Sequence, residues 1–198
     1  MIKIDSIKHY LGALSPYNYR SFTNQLYDNT AHLKEDYPCY REWFYDVQLA
    51  GLCTDERDIL LAHASNDPYN IIGMACLKNT PAERKLCTLV IDNGYRGLGI
   101  GGNMVDAAIA KLGTNKPFFT VPDYKLGMFQ ALINQHAWQL EQRVHGYYND
   151  RHSELCFNGK LLPDAQQLPT PTPRKKTTCV IKPAAEIIQT TDGMLTTK

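Results

Sequence analysis

The sequence has no long hydrophobic run and no excess of charge of either sign. No apolar stretch approaches the roughly 20 residues that a helix needs to span a bilayer, and the N-terminus lacks the long apolar core of a signal peptide. The formal net charge is only +1 over 198 residues, so no global field draws the chain to nucleic acid or to an anionic membrane. We therefore expect a cytoplasmic protein that does not bind membranes.

The sequence also lacks the usual patterns of metal and redox sites. None of the six cysteines forms a Cys-x-x-Cys pair, and the six histidines show no metal-ligand spacing, which argues against a zinc knuckle or a thioredoxin-like motif. We expect no metal. With 43% hydrophobic residues, the chain can bury the core of one domain of ordinary size.

The composition changes after residue 162. Pro169, Pro171 and Pro173 stand at every second position, a spacing that blocks both helices and central strands. The basic run 174–176 follows and suits a solvated linker. We therefore predict one compact domain over residues 1–162 and a proline-rich linker and tail over 163–198.

Hydrophobic periodicity predicts a mixed α/β sheet. An N-terminal strand precedes two helices, about 16–33 and 38–50, and Ser15 and Pro16 suit the start of the first. The later predicted helices cover 101–112 and a segment after Asp123 that carries Leu126, Phe129 and Ile133, and the later predicted strands are Asp58–Ala64, Ile71–Leu77, Lys85–Ile91, Pro117–Val121, Trp138–Val144 and His152–Phe157. This order predicts a hairpin-built first half, followed by a parallel, right-handed βαβ crossover.

A glycine-rich segment, Arg96-Gly97-Leu98-Gly99-Ile100-Gly101, follows the predicted strand that ends at Ile91. Glycines allow positive φ and a close approach of the backbone to a ligand. Successive N–H groups then converge where the dipole of the next helix is positive. This arrangement predicts an anion site that suits a phosphate or pyrophosphate.

Several cofactor classes compete for this segment. Gly97-x-Gly99-x-x-Gly102 matches the dinucleotide fingerprint, with Asp123 about 20 residues further on, and Gly97-x-Gly99-x-Gly101 is similar to a methyltransferase loop. Both require the loop after the first strand of a large parallel sheet, whereas three predicted strands precede it here. The missing Gly-Lys-Ser/Thr ending excludes a P-loop. A glycine-rich turn that only packs a helix on a strand is the alternative without a ligand.

Position and pattern together resemble the GNAT superfamily of acyl-CoA-dependent N-acyltransferases. The acyl-CoA signature is Arg96-x-x-Gly99-x-Gly101, and the order of elements agrees with the family over residues 1–158. The resemblance implies a central, mostly antiparallel twisted sheet with a parallel splayed pair and about four flanking helices. It also implies a cofactor-binding set in which amides hold the pyrophosphate of acetyl-CoA and strand backbone pairs with the pantetheine arm: Arg96, Gly97, Leu98, Gly99, Ile100 and Gly101 for the former, and Leu89, Val90 and Ile91 for the latter. An amide near Ile91 would polarise the thioester carbonyl.

The chain departs from the family at the usual general acid. Family members often carry a tyrosine that protonates the departing thiolate, and the corresponding position here is Ile133. Tyr124, Tyr147 and Tyr148 are the candidate replacements, of which we take Tyr124, although a surface tyrosine is the simpler interpretation of each.

The general base is also not evident. Glu83, at the start of the strand that leads to Ile91, is the first candidate, and a solvated charge beside Arg84 and Lys85 is its alternative interpretation.

The resemblance implies transfer of an acetyl group from acetyl-CoA to a primary amine by direct attack on the thioester. The acceptor is a small molecule, a protein or an aminoacyl-tRNA, and the near-neutral charge argues against tRNA. A homodimer is compatible with the sequence. The missing tyrosine motivates an alternative, a non-catalytic acyl-CoA-binding regulator on the same scaffold, and a nucleotide oxidoreductase is the third interpretation.

Overall fold

The structure is a computed structural model that describes residues 1–65 and 67–162. The predicted linker and tail, 163–198, lie outside the described residues. Seven strands form one sheet: β1 (Ile2–Ser6), β2 (Arg57–Ala64), β3 (Asp67–Asn79), β4 (Arg84–Ile91), β5 (Phe118–Pro122), β6 (Leu140–His145) and β7 (Ser153–Phe157). The α-helices are α1 (Lys8–Leu11), α2 (Pro16–Thr30), α3 (Tyr40–Glu42), α4 (Ile100–Leu112) and α5 (Leu126–Gln135).

The sheet is mixed and mostly antiparallel, as the sequence predicts. Its strand order is β1-β2-β3-β4-β5-β7-β6, and β4 and β5 form the parallel pair. Their register covers only Lys85 with Phe118 and Leu86 with Phe119. Past these two pairs β4 remains hydrogen-bonded to β3, while β5 continues along β7. The sheet therefore splits between β4 and β5.

Helix α2 begins where the sequence predicts and ends three residues early. The Ser15 side chain accepts a hydrogen bond from the Asn18 N–H at 3.2 Å, and Pro16 occupies the first turn. At the other end, the Thr30 hydroxyl donates to the carbonyl of Leu26 at 3.0 Å, a local bond that competes with helix continuation. The chain then tightens into a 3₁₀ helix over Ala31–Glu35.

The second predicted helix, 38–50, is regular only at its start. After α3 the chain forms a π-helical segment, Trp43–Leu49, and a 3₁₀ turn, Ala50–Cys53. The wider π turn buries Phe44 together with the polar Gln48, whose amide donates to the Asp58 carbonyl at 2.8 Å. Burying this amide is tolerated because it is hydrogen-bonded.

Helices cover both faces of the sheet, so two hydrophobic clusters form. The cluster under α4 and α5 includes Leu86, Phe119 and Leu155. The cluster under α2 and the π segment includes Leu61 and Met74. Each fully buried Leu, Phe or Met side chain contributes about 1.5–3 kcal/mol of stability, and the two clusters fix the helices to the two faces of the split sheet.

Candidate cofactor and acceptor site

The glycine-rich segment forms an open bend between β4 and α4. Gly97 and Gly99 both have φ of +78°, a left-handed conformation that costs other L-residues about 1–2 kcal/mol. A Cβ added at either glycine would meet no atom within 4 Å. The outer side of the 96–101 bend is therefore free to receive a ligand.

The backbone N–H groups of this bend are available as donors. The first bond of α4 runs from the Asn103 N–H to the Gly99 carbonyl at 3.1 Å. Within the part of the chain that the structure describes, the N–H groups of residues 97–102 have no hydrogen-bond acceptor. These donors lie at the positive end of a 13-residue helix, which is a favourable place for an anion.

The Arg96 side chain ties the bend to the end of β4. Its Nε donates to the Ile91 carbonyl at 3.1 Å, and the residue is exposed. At the turn before it, the Asp92 carboxylate accepts from the Gly94 N–H at 2.9 Å. The guanidinium is thus fixed at the end of β4, next to the bend in sequence, where it adds positive charge.

The carboxyl-terminal half of β4 has one unpaired edge. The Asp92 N–H donates to the Ile72 carbonyl of β3 at 2.8 Å, and residues along a strand alternate in which side they bond. The main-chain groups of Leu89 and Ile91 therefore face the opening toward β5. Val90 instead bonds to β3, and its side chain packs on the cluster under α2.

Tyr124 follows β5 directly and is held by a buried carboxylate. Its hydroxyl donates to Asp36, which is 2% exposed and also binds the ammonium of Lys125. Burial and the hydrogen bond to Asp36 raise the pKa of Tyr124, so the phenol is protonated at neutral pH. Ile133, the position at which the family often carries a tyrosine, packs in the core at 6% exposure.

Glu83 lies away from the bend. It precedes β4 and binds the Lys78 ammonium at 2.7 Å. Leu89, at the unpaired edge, is six residues further on, which is roughly 20 Å along a strand. The structure therefore brings the 96–101 bend, Leu89 and Ile91 together but leaves Glu83 at the opposite end of β4.

One buried acid, Glu154 of β7, is absent from the residues predicted above. It is 1% exposed, and neither carboxyl oxygen has a hydrogen-bond partner among the described residues. Burial raises the pKa of Glu154 from 4.5 to about 7. A signal existed in the sequence, because Glu154 is the single acid in the predicted strand His152–Phe157.

The charge of this carboxylate acts on two phenols. Burial, followed by the charge of Glu154, raises the pKa of Tyr37, and burial, with smaller contributions from Tyr147 and Glu154, raises that of Tyr148. The two rings lie 5.1 Å apart and nearly perpendicular. Glu154, Tyr37 and Tyr148, here called the acid–phenol cluster, lie on the sheet face opposite α4 and α5, since Leu155 and Phe157 occupy the other face.

Other site types find little support in the described residues. Within residues 1–65 and 67–162 no group of three or more His, Cys, Asp or Glu side chains could hold a metal ion. None of the helices that the structure describes is both long and apolar enough to cross a membrane.

Comparison with known proteins identifies the family. The sequence model of the acetyltransferase (GNAT) family matches residues 18–120, while no curated protein is significantly similar in sequence. Among solved structures, a GNAT-family protein from Desulfovibrio desulfuricans aligns with a TM-score of 0.57 at 12% identity, covering 79% of this chain and 97% of its own. A ribosomal-protein alanine N-acetyltransferase from Escherichia coli aligns with a TM-score of 0.54 at 13% identity, covering 79% and 92%. The spermidine/spermine N-acetyltransferase SpeG from Vibrio cholerae gives 0.52 at 11%, covering 79% and 93%.

Proposed function

Because the chain belongs to the acetyltransferase (GNAT) family, we propose that it transfers the acetyl group of acetyl-CoA to a primary amine. One observation carries the proposal: N–H donors without acceptors line the 96–101 bend beside the unpaired edge of β4. A diphosphate offers several anionic oxygens to such donors, and glycines leave room for it. The residues present therefore fit coenzyme A.

Each part of the bend and strand has a role in this proposal. The amides of residues 97–101 hold the diphosphate, and the Arg96 guanidinium adds positive charge. The unpaired main-chain groups of Leu89 and the N–H of Ile91 bond to the pantetheine arm as an added strand would, while the Ile91 carbonyl accepts from Arg96. An N–H near Ile91 polarises the thioester carbonyl and stabilises the oxyanion that forms on attack.

The reaction needs no covalent intermediate on the protein. The amine nitrogen attacks the thioester carbonyl carbon, a C–N bond forms and the C–S bond breaks, while the protein positions both reactants. Tyr124 is the proposed proton donor to the departing thiolate, since it stands at the end of β5 beside the opening and remains protonated at neutral pH. Glu83, the base expected from the sequence, has no role in this proposal, because it is paired with Lys78 and separated from Leu89 by roughly 20 Å of strand.

The acceptor class remains broad in this proposal: a small molecule, a protein amine or an aminoacyl-tRNA. The similar solved structures illustrate the range, since one is named for a ribosomal-protein alanine and another for spermidine and spermine. At 11–13% identity these proteins share the fold, and their acceptors do not transfer to this chain.

A second candidate is a non-catalytic CoA-binding regulator, favoured by the buried Ile133 at the usual tyrosine position. A thiol-release assay distinguishes the two candidates. An enzyme releases free thiol from acetyl-CoA faster when amine is added, whereas a regulator binds the coenzyme and releases none.

Titration calorimetry with coenzyme A tests the diphosphate site. We expect Gly99→Asp to weaken binding at least tenfold relative to Gly99→Asn. Both side chains have the same size and tolerate positive φ better than other residues do, so the comparison isolates one negative charge placed among the phosphates. Equal affinities for the two variants, or no heat with wild-type protein, would contradict the assignment.

A further inference from the structure

Glu154 is a buried acid without a cation. Two other carboxylates raise its pKa, and each has its own partner: Asp36 binds Lys125, and Asp123 binds Arg143 at 2.6 Å. In the described part of the chain Glu154 forms no ion pair, and neither carboxyl oxygen has a partner at full hydrogen-bond geometry, although the Thr120 hydroxyl is close enough to lower its pKa. An unpaired buried carboxylate is costly, so its presence at this position calls for a function.

Glu154 lies next to the opening of the sheet. Its register partner on β5 is Pro122, which stands at the end where β5 has separated from β4. Paired strands are about 5 Å apart, so Glu154 is one strand spacing from β5, the strand that borders the opening. The side chain is on the face opposite α4, whereas the 96–101 bend leads into α4.

The charged and titratable groups that face Glu154 come from every element around it. Lys85 on β4 lowers its pKa, and Asp36 and Asp123 raise it. Tyr37 and Tyr148 are near enough for the charge of Glu154 to raise their pKa, and Thr120 on β5 is near enough to lower that of Glu154. Lys85 also lies 4.4 Å over the Phe118 ring. Two negative charges and one positive charge therefore act on Glu154, and this surplus of negative charge favours the binding of a further cation beside it.

Resting on the proposed function, we propose that Glu154 is the general base that takes a proton from the ammonium group of the acceptor. The carboxylate attracts the ammonium to the acid–phenol cluster and accepts one N–H proton. The neutral amine then attacks the thioester carbon, the C–S electron pair leaves with sulfur, Tyr124 protonates the thiolate, and a second amine proton restores the phenol of Tyr124. Glu154 returns its proton to water, so the products are an amide, a free thiol and one released proton.

Position distinguishes Glu154 from Glu83. Glu83 is separated from Leu89 by roughly 20 Å of strand and is already paired with Lys78 at 2.7 Å. A general base must come within hydrogen-bond reach of the proton that it removes, directly or through one water. Glu154 stands beside the opening and forms no ion pair with the residues that the structure describes.

The test compares the pH dependence of kcat in three variants and the wild type. Acetyl-CoA is supplied with ethylamine, spermidine or an alanyl peptide as amine probes, and free thiol is recorded. We expect wild-type kcat to rise with pH up to about 7 and then level, as the base loses its proton. Glu154→Gln should lose at least a hundredfold in kcat, together with this pH dependence. Glu83→Gln and the exposed β6 control Glu141→Gln should keep the pH dependence of kcat.

Binding of coenzyme A, measured by calorimetry, separates two kinds of failure. Wild-type protein that gives no heat with the coenzyme overturns the proposed function. Intact coenzyme binding combined with an unchanged pH profile in Glu154→Gln overturns the role of Glu154, as does a variant in which only KM rises. Two further results would overturn the role of Glu154. One is loss of the pH dependence of kcat in Glu83→Gln. The other is a wild-type protein that binds the coenzyme but acetylates none of the amine probes at any pH.

Thr120→Val supplies the same information if Glu154→Gln does not fold. The two side chains have nearly the same shape, and the change removes a hydroxyl that lowers the pKa of Glu154. The rise in kcat should therefore move to higher pH in this variant. An unmoved rise would count against the base assignment.

Discussion

Single residues determine whether the bend can receive a diphosphate. Gly97 and Gly99 adopt the same left-handed φ of +78°, and this conformation turns successive N–H groups outward instead of into a helix or sheet. The spacing of the glycines along the chain is enough to predict such a bend. The role of Glu154 cannot be predicted in the same way. The residues next to it in the sequence do not show that its carboxylate forms no ion pair with the described residues.

The stability of the protein should carry a pH signature of Glu154. Its pKa rises from 4.5 in the unfolded chain to about 7 in the fold, so the folded state holds this proton more tightly. The stabilisation of the folded state by this bound proton is complete below pH 4.5 and is lost as the pH rises through about 7. The loss corresponds to about 3 kcal/mol.

Urea denaturation of wild-type and Glu154→Gln protein at several pH values measures this effect. We expect the two to be equally stable near pH 4 and the variant to be more stable by about 1–3 kcal/mol at pH 8. Glu141→Gln, an exposed change on the neighbouring strand, should follow the wild type. A constant difference between wild type and Glu154→Gln at all pH values would show that Glu154 titrates normally.

At the scale of elements, the defining feature is the short pairing of β4 with β5. Two register pairs join these strands before β5 continues along β7. Periodicity located both strands, but the opening between them was implied by the family resemblance. It depends on which neighbour each strand bonds to, and that is a property of the assembled sheet.

Asp36 connects three elements beside this opening. It ends the 3₁₀ helix after α2, binds Tyr124 and Lys125 of the turn between β5 and α5, and lies 3.9 Å from His152 before β7. The Lys125 side chain is 25% exposed, whereas that of Asp36 is 3% exposed. Removing Lys125 therefore leaves the more buried carboxylate of Asp36 without its ion-pair partner.

A double-mutant cycle tests this connection. Lys125→Met should cost about 3–5 kcal/mol of unfolding free energy and Asp36→Asn about 2 kcal/mol, because the unpaired carboxylate is the more desolvated group. The double variant should be more stable than Lys125→Met alone, since no charge is then left unpaired. Additive losses in thermal or urea unfolding would show that the two side chains are not coupled.

The whole domain should respond to coenzyme A as one cooperative unit. The bend, β4 and α4 share the hydrophobic cluster of the central sheet, so a ligand held there stabilises the folded state by mass action. At a ligand concentration 100 times Kd the gain is about 2.7 kcal/mol, or a rise in Tm of about 5–10 °C for a domain of this size.

Thermal melting with and without the coenzyme checks this expectation. Pantetheine lacks the diphosphate and should give a clearly smaller shift, and Gly99→Asp should abolish the shift with coenzyme A. An equal rise with pantetheine would mean that the strand edge, and not the bend, supplies most of the binding energy.

The sequence by itself determined the order of the elements, the mixed sheet and the glycine-rich bend between β4 and α4, because these depend on local periodicity, capping and glycine conformation. Ser15 and Gly113 start and end helices as their residue types predict. Tertiary structure alone decided that Glu154 lies beside the opening while Glu83 does not. Distances across a sheet are set by register and strand order, which bring residues 36, 124 and 154 together from separate parts of the chain.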